Sequence, residues 1–145
     1  MPSRILIVGA SGELGGALAK FYAESGTALS LWGRDTARLN DIAEACRELG
    51  AASIATRSHD LCNIHEAIAA ISLDDDAAPF DLAIIASGVG DIRAEGALVE
   101  DAALVARVGL VNFVAPAALA AELASRMARR KRGVHRPCGN PSATP

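Results

Sequence analysis

Residues 5–16 constrain this chain more than any other stretch. Ile5-Leu6-Ile7-Val8 is a continuous apolar run rich in β-branched side chains. Without polar alternation, such a run reads as a strand buried on both faces. It meets Gly9-Ala10-Ser11-Gly12-Glu13-Leu14-Gly15-Gly16 directly, and Leu14, Ala17, Leu18 and Phe21 then recur at helical spacing up to a break at Gly26. A glycine motif between a strand and a helix has a specific use. Gly9 permits the tight turn, Gly12 leaves room for a phosphate beside the backbone, and Gly15 lets the helix approach the sheet, with Gly16 adding space. The unpaired N–H groups and partial positive charge of the helix start then suit a pyrophosphate. A turn with no ligand is the competing reading, and the residues after the second strand argue against it.

The pattern repeats along the chain. Ala28–Trp32 is a second strand closed by Gly33, and residues 36–49 form a helix with Leu39, Ile42, Ala43, Cys46 and Leu49 on one side, capped by Asp35 or Thr36. A weaker strand at Ser53–Thr56 leads through His59-Asp60-Leu61-Cys62 to a helix over 63–72, with Asn63 at its start. Asp74-Asp75-Asp76 and Pro79 read as a solvated turn. Phe80–Ala86 is the fourth strand, followed by Ser87-Gly88-Val89-Gly90, and Leu104 to about Ala128 reads as one or two long helices interrupted at Pro116. Strand and helix alternating at this spacing predict an α/β fold with a parallel sheet and helices on both faces.

The end of the second strand carries the cofactor signal. Sites for NAD place an acid there to grip the ribose hydroxyls. Here Gly33 stands in that place and Arg34 follows. An arginine there can hold a 2′-phosphate through charge-assisted hydrogen bonds, which favours NADP over NAD. Asp35 either keeps the NAD case open or caps the next helix. Asp60, after the third strand, reads as an adenine contact or as a capping or surface charge, and His59 as a loop histidine.

Composition narrows the rest. A chain that is 51% hydrophobic with 6 prolines is a folded one, and at 3% aromatics its core must be mostly Ala, Leu, Ile and Val. Cys46, Cys62 and Cys138, like His59, His65 and His135, show no metal-ligand spacing, so no metal is expected and the thiols are expected reduced. No apolar run of membrane-spanning length and no secretion signal is read, giving a cytoplasmic setting with no membrane partner. Residues 126–145 hold six of the 14 basic residues and none of the 17 acidic ones. Arg129–Arg132 reads as the basic end of a helix, which suits the macrodipole. With no aromatic platforms beside it, no nucleic-acid partner is expected.

Five segments in register resemble the short-chain dehydrogenase/reductase family over residues 4 to about 132: Gly9–Gly15, Gly33-Arg34-Asp35, Asp60-Leu61, Ala86-Ser87-Gly88 and Asn112. The resemblance implies a Rossmann-like, doubly wound parallel sheet, cut off after the helix that follows the fourth strand. It further implies that Ser11, Gly12, Glu13 and Leu14 wrap the pyrophosphate and its ribose, and that Arg34 holds the 2′-phosphate. Asp60 and Leu61 would flank the adenine, and Ala86, Ser87 and Gly88 would line the nicotinamide side. Asn112 matches the helix asparagine whose backbone carbonyl holds a water in the proton relay. Departures are visible. The glycines are spaced three and three, as in the family's extended members, Val8 replaces a common threonine, and Ile85-Ala86-Ser87 replaces Asn-Asn-Ala.

In the family a fifth strand, a serine and a Tyr-x-x-x-Lys pair follow. The only tyrosine here is Tyr22, with Gly26 four residues on. After Arg132 the apolar pattern stops, and residues 133–145 contain three prolines, so they cannot form a central strand. Residues 1–132 are therefore expected to form an incomplete nucleotide-binding domain and 133–145 a disordered tail of different character. A frameshift near codon 133 is the first explanation and a short homologue or gene remnant the second. The unpaired fourth strand predicts marginal stability, aggregation or self-association into a homo-oligomer. The expected function is that of an NADP-dependent oxidoreductase acting on an unidentified carbonyl or alcohol, inactive in this form. A non-catalytic nucleotide-binding module and an inert remnant are the alternatives.

Overall fold

The computed structural model describes residues 2–89 and 102–133. Four parallel strands, β1 (Arg4–Val8), β2 (Ala28–Gly33), β3 (Ser53–Ser58) and β4 (Leu82–Ile85), stand in the order β3-β2-β1-β4. In register, Ile5 faces Leu29 and Leu82 across the ladders, and Val8 faces Trp32 and Ile85. Central β1 has four fully buried residues, whereas β3 and β4 are edge strands among the described residues and are more exposed.

The alternation along β1 divides the core. Ile5 and Ile7 point to one face, with Leu29 and Leu31, where α1 (Glu13–Ala23) and α2 (Thr36–Glu48) contribute Ala19, Ala23, Leu39, Ala43 and Cys46. Leu6 and Val8 point to the other, with Trp32, where α3 (Ile64–Ala77) and α5 (Ala115–Gly133) contribute Ala67, Ile71, Ala115, Leu119 and Leu123. Helices on both faces of a parallel sheet are the arrangement expected from the sequence.

The side of α1 that packs differs from the apolar spacing. Leu14 and Phe21 are exposed, and Gly15, Gly16, Ala19 and Ala23 face inward. A Cβ on Gly15 would collide with the Gly9 carbonyl, so small residues must occupy the contact and the larger ones turn outward. At α2, Asp35 rather than Thr36 is the cap, its Oδ1 accepting from the Arg38 backbone N–H at 3.0 Å. Asp35→Ala should cost about 1 kcal/mol of stability. Urea unfolding monitored at Trp32 would check this, and an unchanged midpoint would show that the cap contributes nothing.

Two expectations are corrected. The third helix does not end at residue 72. It runs to Ala77 and includes Asp74-Asp75-Asp76, and Asp75 is 2% exposed rather than part of a solvated turn. Its carboxylate accepts from the Phe80 backbone N–H (2.9 Å), Arg126 Nε (2.8 Å) and Arg130 (2.5 Å). Arg126 also donates to the Ser72 carbonyl and pairs with Asp76 and Glu122, while Arg130 donates to the Phe80 carbonyl. The basic end of α5 is thus partly consumed in joining it to the end of α3 and the approach to β4.

The second correction concerns length. α4 (Ala102–Gly109), a π-helical segment (Leu110–Val114) and α5 run on continuously, and Ala102–Arg130 is long and apolar enough to cross a membrane by length and composition alone. Ala115, Leu119 and Leu123 on its buried side pack in one cluster with Leu6 and Val8 of β1, while much of the remaining helix surface is exposed. The π turn has a local cause. Pro116 carries no N–H for the carbonyl of Asn112 four residues earlier, and the Ala115 N–H bonds Leu110 five residues back instead.

Candidate functional site

The strand ends carry the site. Beyond Val8 the chain turns at Gly9, which has a φ of +88°, and the N–H groups of Gly9 and Ala10 both donate to the Trp32 carbonyl at 2.8 Å. That ties the glycine turn to the end of β2. A Cβ on Gly9 would stand 2.6 Å from the Ser87 nitrogen and 2.7 Å from the Ala86 carbonyl group, so the turn also lies against the end of β4. The Gly12 N–H donates to the Gly9 carbonyl (3.0 Å), which folds the loop over before α1 begins.

A cleft of about 330 Å³ opens above these strand ends. Gly9, Ser11 and Gly12 form its glycine-loop wall, Gly33, Arg34, Asp35 and Arg38 its β2–α2 wall, and Ala86, Ser87, Gly88 and Val89 its β4 wall. Trp32, His59 and Leu61 lie along it as well, and Val111 reaches it from the π segment. Of the residues singled out from the sequence, Gly9, Ser11, Gly12, Arg34, Leu61, Ala86, Ser87 and Gly88 therefore meet at one cleft. Glu13 and Leu14 open α1 as exposed residues away from the cleft lining, and Gly15 lies beneath the turn, against Gly9.

Gly33 has a steric role that its place in the sequence does not reveal. A Cβ there would be 2.5 Å from Ser11 Oγ and 3.0 Å from Ser11 Cβ. A side chain at this position would therefore require Ser11 to turn away. The backbone next to it is fixed from β3, since the His59 N–H donates to the Gly33 carbonyl (3.0 Å) and the Ser58 hydroxyl to the Arg34 carbonyl (3.2 Å).

Asp60 is exposed, and its Oδ1 accepts from the Cys62 N–H at 3.0 Å in the turn that starts α3. That hydrogen bond holds its carboxyl below the ordinary aspartate range, with slight burial opposing and Arg34 and Arg107 assisting. It is Leu61, not Asp60, that lines the cleft. Asn112 lies in the π segment and clasps the loop after β4. Its Oδ1 accepts from the Val89 N–H and its Nδ2 donates to the Val89 carbonyl, both at 2.7 Å. The side-chain amide thereby fixes the Ser87–Val89 wall.

The residues present fit a nicotinamide dinucleotide. Trp32 Nε1, His59 Nε2 and Ser87 Oγ are buried, lack hydrogen-bond partners among the described residues, and belong to residues that line the cleft. Buried polar atoms without partners are uncommon, and their collection at one cleft suits a polar ligand. Arg34 and Arg38 supply positive charge, and Gly12, whose Cβ would stand 3.3 Å from the Gly9 carbonyl, leaves the backbone open. Sequence reasoning missed Trp32, Arg38, Val89 and Val111 as cleft residues and read His59 as a loop histidine. Only Arg38 carried a signal, as a second arginine four residues after Arg34.

Comparison with known proteins agrees. The profile described as short chain dehydrogenase matches residues 3–134. No curated protein sequence matches the chain. Among solved structures, a bulky-bulky ketone specific alcohol dehydrogenase from Comamonas testosteroni is 29% identical with a TM-score of 0.76, over 90% of this chain and 51% of that one. A short-chain dehydrogenase from Sphingobium yanoikuyae in complex with NADPH is 26% identical with a TM-score of 0.70, over 88% of this chain and 49% of that one. A metagenomic short-chain oxidoreductase in complex with NADP is 26% identical with a TM-score of 0.76, over 89% and 58%. The chain thus spans about half the length of these structures.

Proposed function

This chain belongs to the short-chain dehydrogenase family, and from that premise we propose that its cleft binds NADP in preference to NAD, as the nucleotide-binding part of a carbonyl/alcohol oxidoreductase. The observation that carries the reading is the β2 end of the cleft, where Gly33, packed on Ser11, replaces an acid and Arg34 faces the same space. The two relatives with bound NADPH or NADP support it. The dinucleotide would supply the hydride, and this chain's residues would bind and orient it. Gly9, Ser11 and Gly12 would hold the pyrophosphate at the start of α1, Arg34 the 2′-phosphate, and Leu61 the adenine. Ala86, Ser87 and Gly88, braced by Asn112, would bound the nicotinamide end. The substrate is a small carbonyl or alcohol of unassigned identity.

The 145 residues contain one tyrosine, Tyr22, and no Tyr-x-x-x-Lys pair. The chain by itself is expected to bind NADP without reducing carbonyls, which is also what a non-catalytic nucleotide-binding module would do. Trp32 is the only tryptophan and lines the cleft, so its fluorescence reports binding. Titration should show tighter binding of NADP⁺ than of NAD⁺. Equal affinities would remove the specificity, and no binding of either would remove the proposal. Steady oxidation of NADPH by the purified chain with a ketone would refute the expected lack of turnover.

A further inference from the structure

The two edges of the sheet differ in character. β3 exposes Ser53, Thr56, Arg57 and Ser58, and a polar strand carrying an arginine is an edge that resists further pairing. β4, the other edge among the described residues, is Leu82-Ala83-Ile84-Ile85, apolar throughout and half-buried at every position. Its backbone pairs with β1 on one side only. Of the described helices only α5 has backbone close to β4, and Leu82 and Ile84, on the opposite face of the sheet, stay half-buried.

The helix surface beside this edge is also apolar. Glu122 and Arg126 of α5 turn to α3, where they meet Ser72 and Asp75. Ala120 and Ala124, each two residues earlier, point about 200° away from them and are exposed. Phe113, about two turns before Ala120, is 74% exposed. α5 lies over β1 and β4, because its Leu119 and Leu123 share a cluster with Leu6, Val8, Ala83 and Ile85. A copy related by a two-fold axis at the β4 edge would bring its own α5 to about two strand spacings, about 10 Å, the distance at which helices pack. Alanines at the contact allow that approach.

We propose that the β4 edge docks a second copy of this chain, β4 against β4 in antiparallel pairing, to give one eight-stranded sheet with the two α5 helices side by side. Side-chain alternation limits the register, since residues opposite one another must point to the same face. Leu82 and Ile84 of each copy therefore lie opposite those of the other and form one apolar strip. Four residues of edge are too few to hold a dimer alone, because a stable interface takes about 800 Å² from each partner, and the α5 surfaces are needed for the remainder. The contact uses the same patch on both copies and closes on itself, leaving only polar β3 edges outside, so a dimer is expected and not a fibre. Antiparallel strands direct their ends oppositely, which leaves both clefts open at opposite ends of the joined sheet.

The test is sedimentation velocity of the full 145-residue chain over a range of concentrations, with amide hydrogen exchange followed at β4. The unaltered chain should pass from monomer to dimer, and the β4 amides should gain protection as it does. Ala120→Glu and Ala124→Glu change exposed positions, and circular dichroism checks that each variant keeps its fold. Each should raise the dissociation constant at least about tenfold by setting like charges together across the axis. Thr56→Lys, on the β3 edge, should leave it unchanged. A monomer at every concentration would overturn the proposal, and so would a dimer whose β4 amides exchange as fast as the monomer's. Loss of the dimer in Thr56→Lys, with none in the two alanine variants, would move the contact to β3 and overturn it as well. Growth beyond the dimer would overturn the closed arrangement.

Discussion

Asp75→Ala should lower the folding free energy by about 3–5 kcal/mol, the range for removing one member of a buried ion pair. Domains of this kind are stable by roughly 5–15 kcal/mol in total, so the variant should unfold at a much lower urea concentration with little change in slope. The carboxylate is 2% exposed and is shared by Arg126, Arg130 and the Phe80 N–H. Its loss leaves the Phe80 N–H without its acceptor and Arg130 without a carboxylate partner, while Arg126 keeps Asp76 and Glu122. Asp75→Asn keeps an oxygen for the Phe80 N–H and should be less severe. A cost below about 1 kcal/mol in the alanine variant would mean that water replaces the carboxylate at this site.

The same group gives a pH dependence. Burial pushes the Asp75 carboxyl upward, but the Phe80 N–H and the Arg126 and Arg130 guanidiniums outweigh it, and the folded value lies below the ordinary aspartate range. A depressed folded value means that the unfolded chain takes up this proton first as pH falls. The stabilisation is therefore complete above the ordinary aspartate range and is lost as pH drops through the lower folded value. The unaltered protein should lose stability over that acidic interval more steeply than Asp75→Asn, which has no proton to take up. Parallel stability–pH curves for the two proteins would remove the linkage.

Gly9→Ala should be the most damaging alanine substitution in the cleft, and Gly50→Ala shows why. Both glycines have positive φ, +88° and +99°, and both substitutions incur backbone strain of about 1–3 kcal/mol. At Gly50 the nearest atom to an added Cβ is 4.0 Å away, whereas at Gly9 the Ala86 and Ser87 backbone lies at 2.6–2.7 Å. Forcing these segments apart should cost about 1–3 kcal/mol more, and the displaced atoms belong to two walls of the cleft. Gly9→Ala should therefore lose dinucleotide binding as well as stability, and Gly50→Ala stability alone. Equal losses in unfolding and binding measurements would show that strain, and not close approach, is what reserves position 9 for glycine.

The order of strands and helices, the parallel sheet and the glycine turn were legible in the sequence, because each rests on residues adjacent in the chain. Ile5–Val8 is apolar at every position and is buried on both faces, and the α2 and α3 apolar spacings mark sides that pack, except that Leu49, expected on the packed side of α2, is its exposed C-cap. The inward side of α1 was not legible. Leu14 and Phe21 have the right spacing, but the approach of Gly15 to the Gly9 carbonyl selects the glycine and alanine side. Asp74-Asp75-Asp76 has the composition of a solvated turn, and only Arg126 and Arg130, about fifty residues away, make Asp75 a buried helix residue.

The cleft divides in the same way. Gly9, Gly12, Arg34 and Ser87 could be singled out because local chemistry limits what a turn or a strand end can do. That Ser11 fills the space beside Gly33, that Asp35 is spent on the α2 cap, and that Asn112 clasps Val89 depend on contacts between segments distant in the chain. By itself the sequence determined which elements form and the glycine turn between the first two. Tertiary structure alone decided which helix sides turn inward and which acids are consumed in holding the fold. Propensity and periodicity act over a few residues, whereas burial, collision and charge pairing are settled only when segments far apart in the chain are brought together.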